Sequence, residues 1–484
     1  MVSKTRAILL IISIPASCGF QSIQSSVPIT RVRPTRWTLS SSHLYSSSST
    51  KNDELSSPSQ DNNKTTVASQ AALIAGTTIG GGFLALPAAT APGGFIPSSI
   101  GLIAVWMYLL GCSLSFANAI FMAKDNIRKE EDVQAYNNNA NDEEISIFSL
   151  VRECFGNLAG GVTGLLFLLL MTATLVAQLS KVGVLLQSST LLPYMSRGAW
   201  TMLFSSIIVT ICLVGKQRHI ERINDVLTST MLLSFATLIA LAGGSGWTTD
   251  GLQRANYISL IPSVASSSSW AVPIFIQLLI YNEVVPLVSA RLRNEKKVRR
   301  AILFGSSIPL LMCLTWSCVA LGIVPYEPTG GSAIYDPLSK LSQEVLSKGG
   351  SIGKVFLTSV NTMAASAICT TVFGSILATT QYLDDVFSGR KETVLARIAK
   401  YSFAIFPSAM IAALGSSEFY YQATSFAGEY PCTLLFGLIP PLCNLRLRWK
   451  LRKQEGDMMI PSKDVFMQIL LAMMSIAILV ACRL

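Results

Sequence analysis

The sequence predicts an all-α, polytopic membrane protein with about eleven transmembrane helices. Half of the 484 residues are hydrophobic and only 13% are charged, whereas soluble domains contain roughly 25% charged residues. The apolar residues form runs long enough for a helix to cross the hydrocarbon layer of a bilayer. Most Lys and Arg lie in the loops between these runs, where basic residues set membrane topology. The basic net charge therefore predicts no nucleic-acid partner, because it is not gathered on one face or in one domain.

Apolar runs separated by polar segments define the predicted spans, numbered 1 to 11 in chain order. Their approximate limits are 67–91, 95–122, 159–188, 198–214, 223–243, 269–289, 301–324, 352–379, 399–415, 419–443 and 465–482. The loop after each even-numbered span holds at least three Lys or Arg, and the loop after each odd-numbered span holds at most two. A missed interior span would invert this alternation. The pattern therefore supports the span count and predicts that the basic loops face the cytoplasm or, in a plastid, the stroma.

The chain before span 1 has the composition of targeting sequences. Residues 1–20 combine a basic start, a short apolar stretch and small residues, as a signal peptide does. Residues 21–66 are rich in Ser and Arg at first and polar throughout, which predicts a disordered, transit-peptide-like segment. Together they resemble the bipartite presequences of algae with complex plastids, and the plastid envelope is then the expected membrane. The alternative is a secretory signal with a Ser-rich tail, which leads to the plasma membrane or an endomembrane.

Span 1 is predicted to be a broken helix. Gly80, Gly81 and Gly82 follow one another in the middle of the span, and Pro87 comes soon after. Glycine and proline are the poorest helix formers, so a continuous helix is unfavourable here. An unwound segment leaves backbone amides and carbonyls available to a ligand. The alternative is that Gly76 and Gly80 form a small-residue contact between helices.

Span 6 carries a second interruption, in which Tyr281, Asn282 and Glu283 precede Pro286 within an apolar run. An acid at this depth indicates a functional site by default. The alternatives are an ordinary proline kink and a structural ion pair of Glu283 with Arg or Lys.

Interrupted helices at corresponding positions of two halves indicate a transporter with inverted repeats and a central binding site. The predicted fold is therefore a five-plus-five inverted repeat with broken helices 1 and 6. Repeat one covers 67–243, repeat two covers 269–443, and an extra helix covers 465–482. These three parts form a single transporter domain over residues 67–482.

Two polar residues lie within span 3, Gln178 and Lys181. Gln178 is assigned to the substrate site. Lys181 has two interpretations of equal weight. Its side chain either extends outward to the membrane interface, or it faces the central site, as a cation there or as the partner of Glu283.

No cofactor or metal site is predicted. The ten Cys are scattered and mostly lie in apolar spans, and the chain has only two His. Their spacing matches neither a zinc site nor a disulfide framework. No cluster of His, Asp or Cys suggests catalysis, so the chain is not expected to be an enzyme.

Several segments resemble the tryptophan/tyrosine permease family, the hydroxy and aromatic amino acid permeases. Residues 76–87 and 91–97 are similar to its opening signature, 301–310 to its span 7, and 381–385 to its motif at the end of span 8. The resemblance implies the amino acid–polyamine–organocation superfamily fold and proton-coupled amino acid uptake. The chain departs from bacterial members at Tyr281–Glu283, where they usually carry an aromatic residue followed by His.

The resulting hypothesis is a secondary active transporter, with proton-coupled symport of aromatic or other neutral amino acids across the bilayer. Glu283 and Lys181 are the candidate proton-coupling residues. The candidate substrate-binding residues are Thr77, Thr78, Ile79, Gly80, Gly81, Gly82, Gln178, Tyr281 and Asn282. The alternatives are a channel and a transporter-derived amino acid sensor. Sodium coupling also stays open, because Thr370, Thr371 and Ser375 of span 8 carry hydroxyls that are suitable sodium ligands.

Overall fold

A computed structural model describes most of the chain beyond the leader. The described residues are 66–132, 145–188, 195–215, 217–244, 271–323, 337–386, 393–416, 418–455 and 463–482. The predicted signal peptide (1–20) and nearly all of the transit-peptide-like segment (21–66) lie outside them. Every regular element among the described residues is helical.

The helices follow the predicted spans closely. The first half contains Val67–Thr78, Gly81–Ala85 and Leu86–Thr90 (span 1), Phe95–Asp132 (span 2), Ile147–Phe155, Asn157–Ser188 (span 3), Arg197–Val214 (span 4) and Gln217–Gly244 (span 5). The second half contains Ala271–Leu279, Asn282–Val284 and Val285–Leu292 (span 6), Glu295–Ile323 (span 7), Pro337–Val386 (span 8), Val394–Leu414 (span 9), Phe419–Ala427, Gly428–Leu438 and Ile439–Glu455 (span 10), and Lys463–Ala481 (span 11).

Within the described residues, 9 helices are long and apolar enough to cross a membrane, and the bent pair of span 1 brings the number to 10. Span 10 supplies the remaining predicted crossing as three consecutive helical segments. The all-α polytopic architecture predicted from composition is confirmed. The limits of the two repeats stay a prediction.

Both predicted helix breaks are present. In span 1 the first helix ends at Thr78, and Ile79 and Gly80 adopt extended backbone angles. The chain bends by 51° between the two halves of the span. In span 6, Tyr281 leaves the helical region with φ −145° and ψ 5° before a short 3-10 turn. Pro286 lies at the start of the second half-helix, where a missing N–H costs nothing.

Span 10 contains a feature that the sequence analysis did not predict. Residues Gly428–Leu438 form a π-helix, which is a wider and rarer form often found at functional sites. Pro431 lies inside it and cannot donate a backbone hydrogen bond. The Thr433 hydroxyl donates to the Gly428 carbonyl at 2.8 Å and satisfies part of the backbone that the wider helix leaves open.

Contacts between loop ends agree with the topology inferred from charge. Lys450, after span 10, lies 2.8 Å from Glu153, before span 3. The loops after spans 2 and 10 therefore share one side, as the alternation of basic loops predicts. Arg197, the first residue of span 4, donates to the carbonyl of Gly415, just after span 9. These two belong to the opposite set of loops.

Candidate functional site

The break in span 1 exposes backbone groups that side chains from other spans bind. The Gly81 N–H donates to the Thr371 hydroxyl of span 8 at 2.8 Å. The Tyr420 hydroxyl of span 10 donates to the Gly81 carbonyl at 2.8 Å, with the Gly82 carbonyl 3.3 Å away. Backbone polar groups removed from water need such partners. Spans 8 and 10 therefore hold the unwound segment in place.

Close approach explains why glycine occupies the break. A Cβ at Gly80 would lie 2.6 Å from the Thr371 hydroxyl oxygen, and a Cβ at Gly81 would collide with the Gln178 side-chain oxygen. At Gly82 the nearest atom is Leu278 Cγ at 3.9 Å, an ordinary contact. Neighbouring side chains therefore pack closely against the first two glycines, and a larger residue there would displace them, whereas the third glycine has room.

Gln178, predicted as a substrate-binding residue, faces the broken segment of span 1. Its side chain is 2% exposed and lies directly against Gly81. The amide oxygen is buried and accepts no hydrogen bond from the described residues. A buried acceptor without a partner is costly. Gln178 therefore offers a free polar group beside the exposed backbone of span 1.

Lys181 lies one helical turn beyond Gln178 on the same face of span 3. It is 4% exposed, so it does not extend outward to the membrane interface. Its ammonium lies 5.5 Å from the ring centre of Tyr420 and 5.9 Å from that of Tyr421, within the range of cation–π attraction. Lys181 thus lies over the same tyrosine that binds Gly81. The structure does not pair it with Glu283.

The two threonines before the break bond within their own helix. The Thr77 hydroxyl lies 3.0 Å from the Leu73 carbonyl, and the Thr78 hydroxyl lies 2.6 Å from the Ile74 carbonyl. Both side chains are thus satisfied within their own helix. Ile79 is buried, whereas Thr77 stays exposed.

The break in span 6 is fixed by its neighbours as well. Asn282 is fully buried; its side-chain oxygen accepts from Ser113 of span 2, and its nitrogen donates to the Phe436 carbonyl of span 10 at 3.2 Å. The amide therefore holds span 6 in place. Tyr281 is 1% exposed and lies in the core beside this residue.

Glu283 combines depth with access to solvent. Protein atoms surround its position, yet the residue is exposed to a water-sized probe, so it faces a crevice in the bundle. No described Lys, Arg or His forms a salt bridge with it. Cys432 of span 10 lies within electrostatic range of its carboxylate.

A polar chain that the sequence analysis missed joins spans 3, 6 and 10 near Glu283. The Gln277 amide donates to the Thr174 hydroxyl at 3.3 Å, and the Cys432 thiol donates to the Gln277 oxygen at 3.0 Å. Of these three residues, Gln277 could have been identified from the sequence, because it is a polar residue in an apolar run just before the break. Tyr420 gave no local signal, because its partners are remote along the chain.

Phe83 anchors the second half of span 1 against the aromatic core. Its ring stacks on Trp316 of span 7 with centres 5.7 Å apart and meets Phe235 of span 5 edge-on at the same distance. Such pairs add stability beyond area burial.

The described part of the chain holds no group of three or more His, Cys, Asp or Glu that could bind a metal ion.

Comparison with known proteins gives a family and relatives. A sequence model described as the tryptophan/tyrosine permease family matches residues 63–481. "Tyrosine-specific transport system 1" of Haemophilus influenzae is 23% identical over 390 residues, which cover 80% of this chain and 88% of that protein. "Tyrosine-specific transport system 2" of the same organism is 25% identical over 389 residues, with 79% and 87% covered.

Solved structures of similar fold include a transporter. The inward-facing conformation of Mhp1 has a TM-score of 0.53 at 12% identity, covering 86% of this chain and 90% of that one. A manganese transporter of Eremococcus coleocola, solved with an aromatic bis-isothiourea compound, has a TM-score of 0.50 at 16% identity and covers 86% of each chain. Identities this low indicate a shared fold and say nothing about cargo.

Proposed function

Because this chain belongs to the tryptophan/tyrosine permease family, we propose that it is a secondary active transporter of aromatic or other neutral amino acids, coupled to protons by symport. The family is one of permeases, so amino acid transport by a multi-pass membrane protein is its general activity. The prediction that the chain is not an enzyme is confirmed by the same match. The relatives named for tyrosine transport support an aromatic cargo.

The observation that carries this proposal is the unwound segment of span 1 beside Gln178, whose buried side-chain oxygen accepts no hydrogen bond from the described residues. The helix Val67–Thr78 ends there with its negative dipole end, and the turn Gly81–Ala85 begins with its positive end. An amino acid has one group of each sign. Its ammonium would bind near the carbonyls after Thr78 and its carboxylate near the Gly82 amide, because the Gly81 and Phe83 amides already donate to Thr371 and Gly80. Gln178 would complete the hydrogen bonds.

The side chain of the substrate would extend toward span 6. Tyr281 is the lining residue that we retain from the sequence analysis, and Gln277 adds a polar group one turn earlier. Asn282 supports this wall rather than touching the substrate, since both ends of its amide are occupied by protein groups. A hydroxylated aromatic substrate would find a hydrogen-bonding partner there, and a site built for one rejects an analogue that lacks it.

Glu283 is the proposed carrier of the coupling proton. It faces a crevice and has no cationic partner among the described residues. Protonation removes the cost of holding a charge at this depth. If the transporter binds a proton at Glu283 together with the substrate on one side and releases both on the other, the proton gradient drives the substrate against its own gradient. Lys181 is the second proposed coupling residue. Its ammonium lies over the ring of Tyr420, so its positive charge would attract the substrate carboxylate across that ring.

Uptake into proteoliposomes tests the proposal. The purified chain would be offered a panel of labelled amino acids under an imposed proton gradient, an imposed sodium gradient or neither. Concentration of an aromatic or other neutral amino acid under the proton gradient alone supports it. Accumulation that follows sodium alone would instead point to the hydroxyls of span 8, and equal fluxes without accumulation would point to a channel.

The membrane is a separate proposal, which rests on composition alone. A signal-peptide-like start followed by a Ser-rich, Arg-containing segment supports the envelope of a complex plastid. The plasma membrane or an endomembrane is the alternative.

A further inference from the structure

A basic pocket lies at one end of the bundle, away from the broken helices. It is a cavity of about 450 Å³ between the short helix Ile147–Phe155 and the end of span 10. Cys154 and Leu447 contribute its apolar floor, and both are buried. The rest of its lining is Glu153, Arg446, Trp449, Lys450 and Lys453. Three cations and one carboxylate give the pocket a positive balance.

The cations differ in how far they are neutralised. Lys450 forms an ion pair with Glu153 at 2.8 Å. Arg446 and Lys453 instead lie over the ring of Trp449, at 4.7 Å and 5.4 Å from its centre. Neither contacts a carboxylate of the described residues. A cation–π contact with the Trp449 ring leaves the N–H groups of Arg446 and Lys453 free of any acceptor atom in that ring. Both cations can therefore donate hydrogen bonds to an anion.

The position of the pocket suits a membrane interface. Residues 446, 449 and 453 follow one another at helical spacing, so they share one face of the helix Ile439–Glu455. Trp449 is 43% exposed, and tryptophan favours the level of lipid headgroups. Basic pockets on the cytoplasmic side of transmembrane bundles bind phosphate-bearing headgroups.

We propose that this pocket binds a phosphate-bearing anion, and that its source is the headgroup of an anionic phospholipid. Arg446 and Lys453 contact the phosphate, Trp449 lies at the glycerol level, and the floor of Cys154 and Leu447 accommodates the first apolar atoms of the lipid. This site is independent of the central one, so its occupancy can be tested without measuring transport.

The binding of short-chain phosphatidylglycerol to the purified full chain in detergent tests the proposal. Arg446→Gln with Lys453→Gln should weaken binding roughly 25-fold, since each basic residue near an anionic headgroup contributes about fivefold. The matched control is Lys296→Gln with Lys297→Gln, which removes two exposed charges from the first turn of the helix Glu295–Ile323. It should change the affinity less than about twofold. If the double variant does not purify as a single species, Lys453→Gln alone should give about the fivefold loss.

Two further arms identify the ligand. Phosphatidylcholine, whose headgroup is zwitterionic, should bind much more weakly than phosphatidylglycerol. Inorganic phosphate should compete poorly, because it does not contact Trp449 or the apolar floor. Displacement by inorganic phosphate at the same concentration as the lipid would overturn the lipid source and assign the site to a soluble anion. Binding of phosphatidylglycerol by the variant with wild-type affinity, or equal binding of phosphatidylcholine, would overturn the site itself.

Discussion

The hydroxyl of Tyr420 in span 10 donates a hydrogen bond of 2.8 Å to the carbonyl of Gly81 in span 1. The same ring lies beneath the ammonium of Lys181. One side chain thus links the broken backbone, a buried cation and the π-helix-containing span. The side chains of Tyr420 and Thr371 hold the unwound segment, and each can be replaced separately by mutation.

Replacing Tyr420 by Phe should remove this hydrogen bond while keeping the ring. A buried carbonyl left without its partner costs about 1–3 kcal/mol, so substrate affinity should fall by roughly one order of magnitude. Tyr108→Phe is the matched control. It removes a buried hydrogen bond of 2.8 Å to Ser475, outside the site. Thermal stability should fall in both variants, and substrate binding only in Tyr420→Phe. Equal binding by the two variants would show that Tyr420 is merely structural.

Gly81→Ala and Gly82→Ala should differ sharply. The added Cβ at position 81 collides with Gln178, whereas at position 82 it meets only Leu278 at 3.9 Å. We expect Gly81→Ala to abolish substrate binding and Gly82→Ala to leave it within about threefold of wild type. Binding measured on both purified proteins, with expression and monodispersity compared, checks this. Normal binding by Gly81→Ala would mean that the break has a different geometry.

Both helix breaks could be predicted from the sequence, because their causes are local. The glycine run at 80–82 and the sequence Tyr281–Glu283 before Pro286 disfavour a helix by their own chemistry, and both breaks occur there. Tyr420 and Thr371 were not identified as partners of Gly81, because such pairings depend on how distant spans pack. The hypothesis that Lys181 pairs with Glu283 relied on charge alone and could not anticipate the tyrosines beside Lys181.

Thr371 supplies the acceptor for the Gly81 N–H and in turn donates to the Ala367 carbonyl at 2.9 Å. Thr371→Val removes the acceptor, and we expect uptake to fall about tenfold or more, since a buried amide then has no partner. Thr371→Ser keeps the hydroxyl and should retain most activity. Thr370→Val is the control, because the Thr370 hydroxyl donates to the Ala367 carbonyl of its own helix and to no other group in the described part of the chain. Uptake by Thr371→Val at the level of Thr371→Ser would exclude this hydroxyl from the site.

The leader can be tested independently of the transporter. A fluorescent protein fused after residues 1–66 should reach the plastid in an alga with complex plastids, and a fusion of residues 21–66 alone should remain in the cytosol. Residues 1 to about 66 are expected to be removed during targeting, so N-terminal sequencing should show that the mature chain begins near residue 66. Delivery of the longer fusion to the cell surface would instead favour the secretory alternative, and a mature protein that begins at Met1 would refute removal.

Glu283 tests the central claim, that a carboxyl group in the crevice couples protons to amino acid movement. Gln has the shape and charge of the protonated acid, so Glu283→Gln should still exchange labelled for unlabelled substrate across a proteoliposome membrane. It should not concentrate substrate when a proton gradient is imposed, whereas the wild type should. The decisive measurement is therefore accumulation of labelled substrate by both proteins under the same proton gradient, with exchange measured in parallel. Exchange without accumulation in Glu283→Gln is the predicted result, and accumulation at the wild-type level and pH dependence would contradict it.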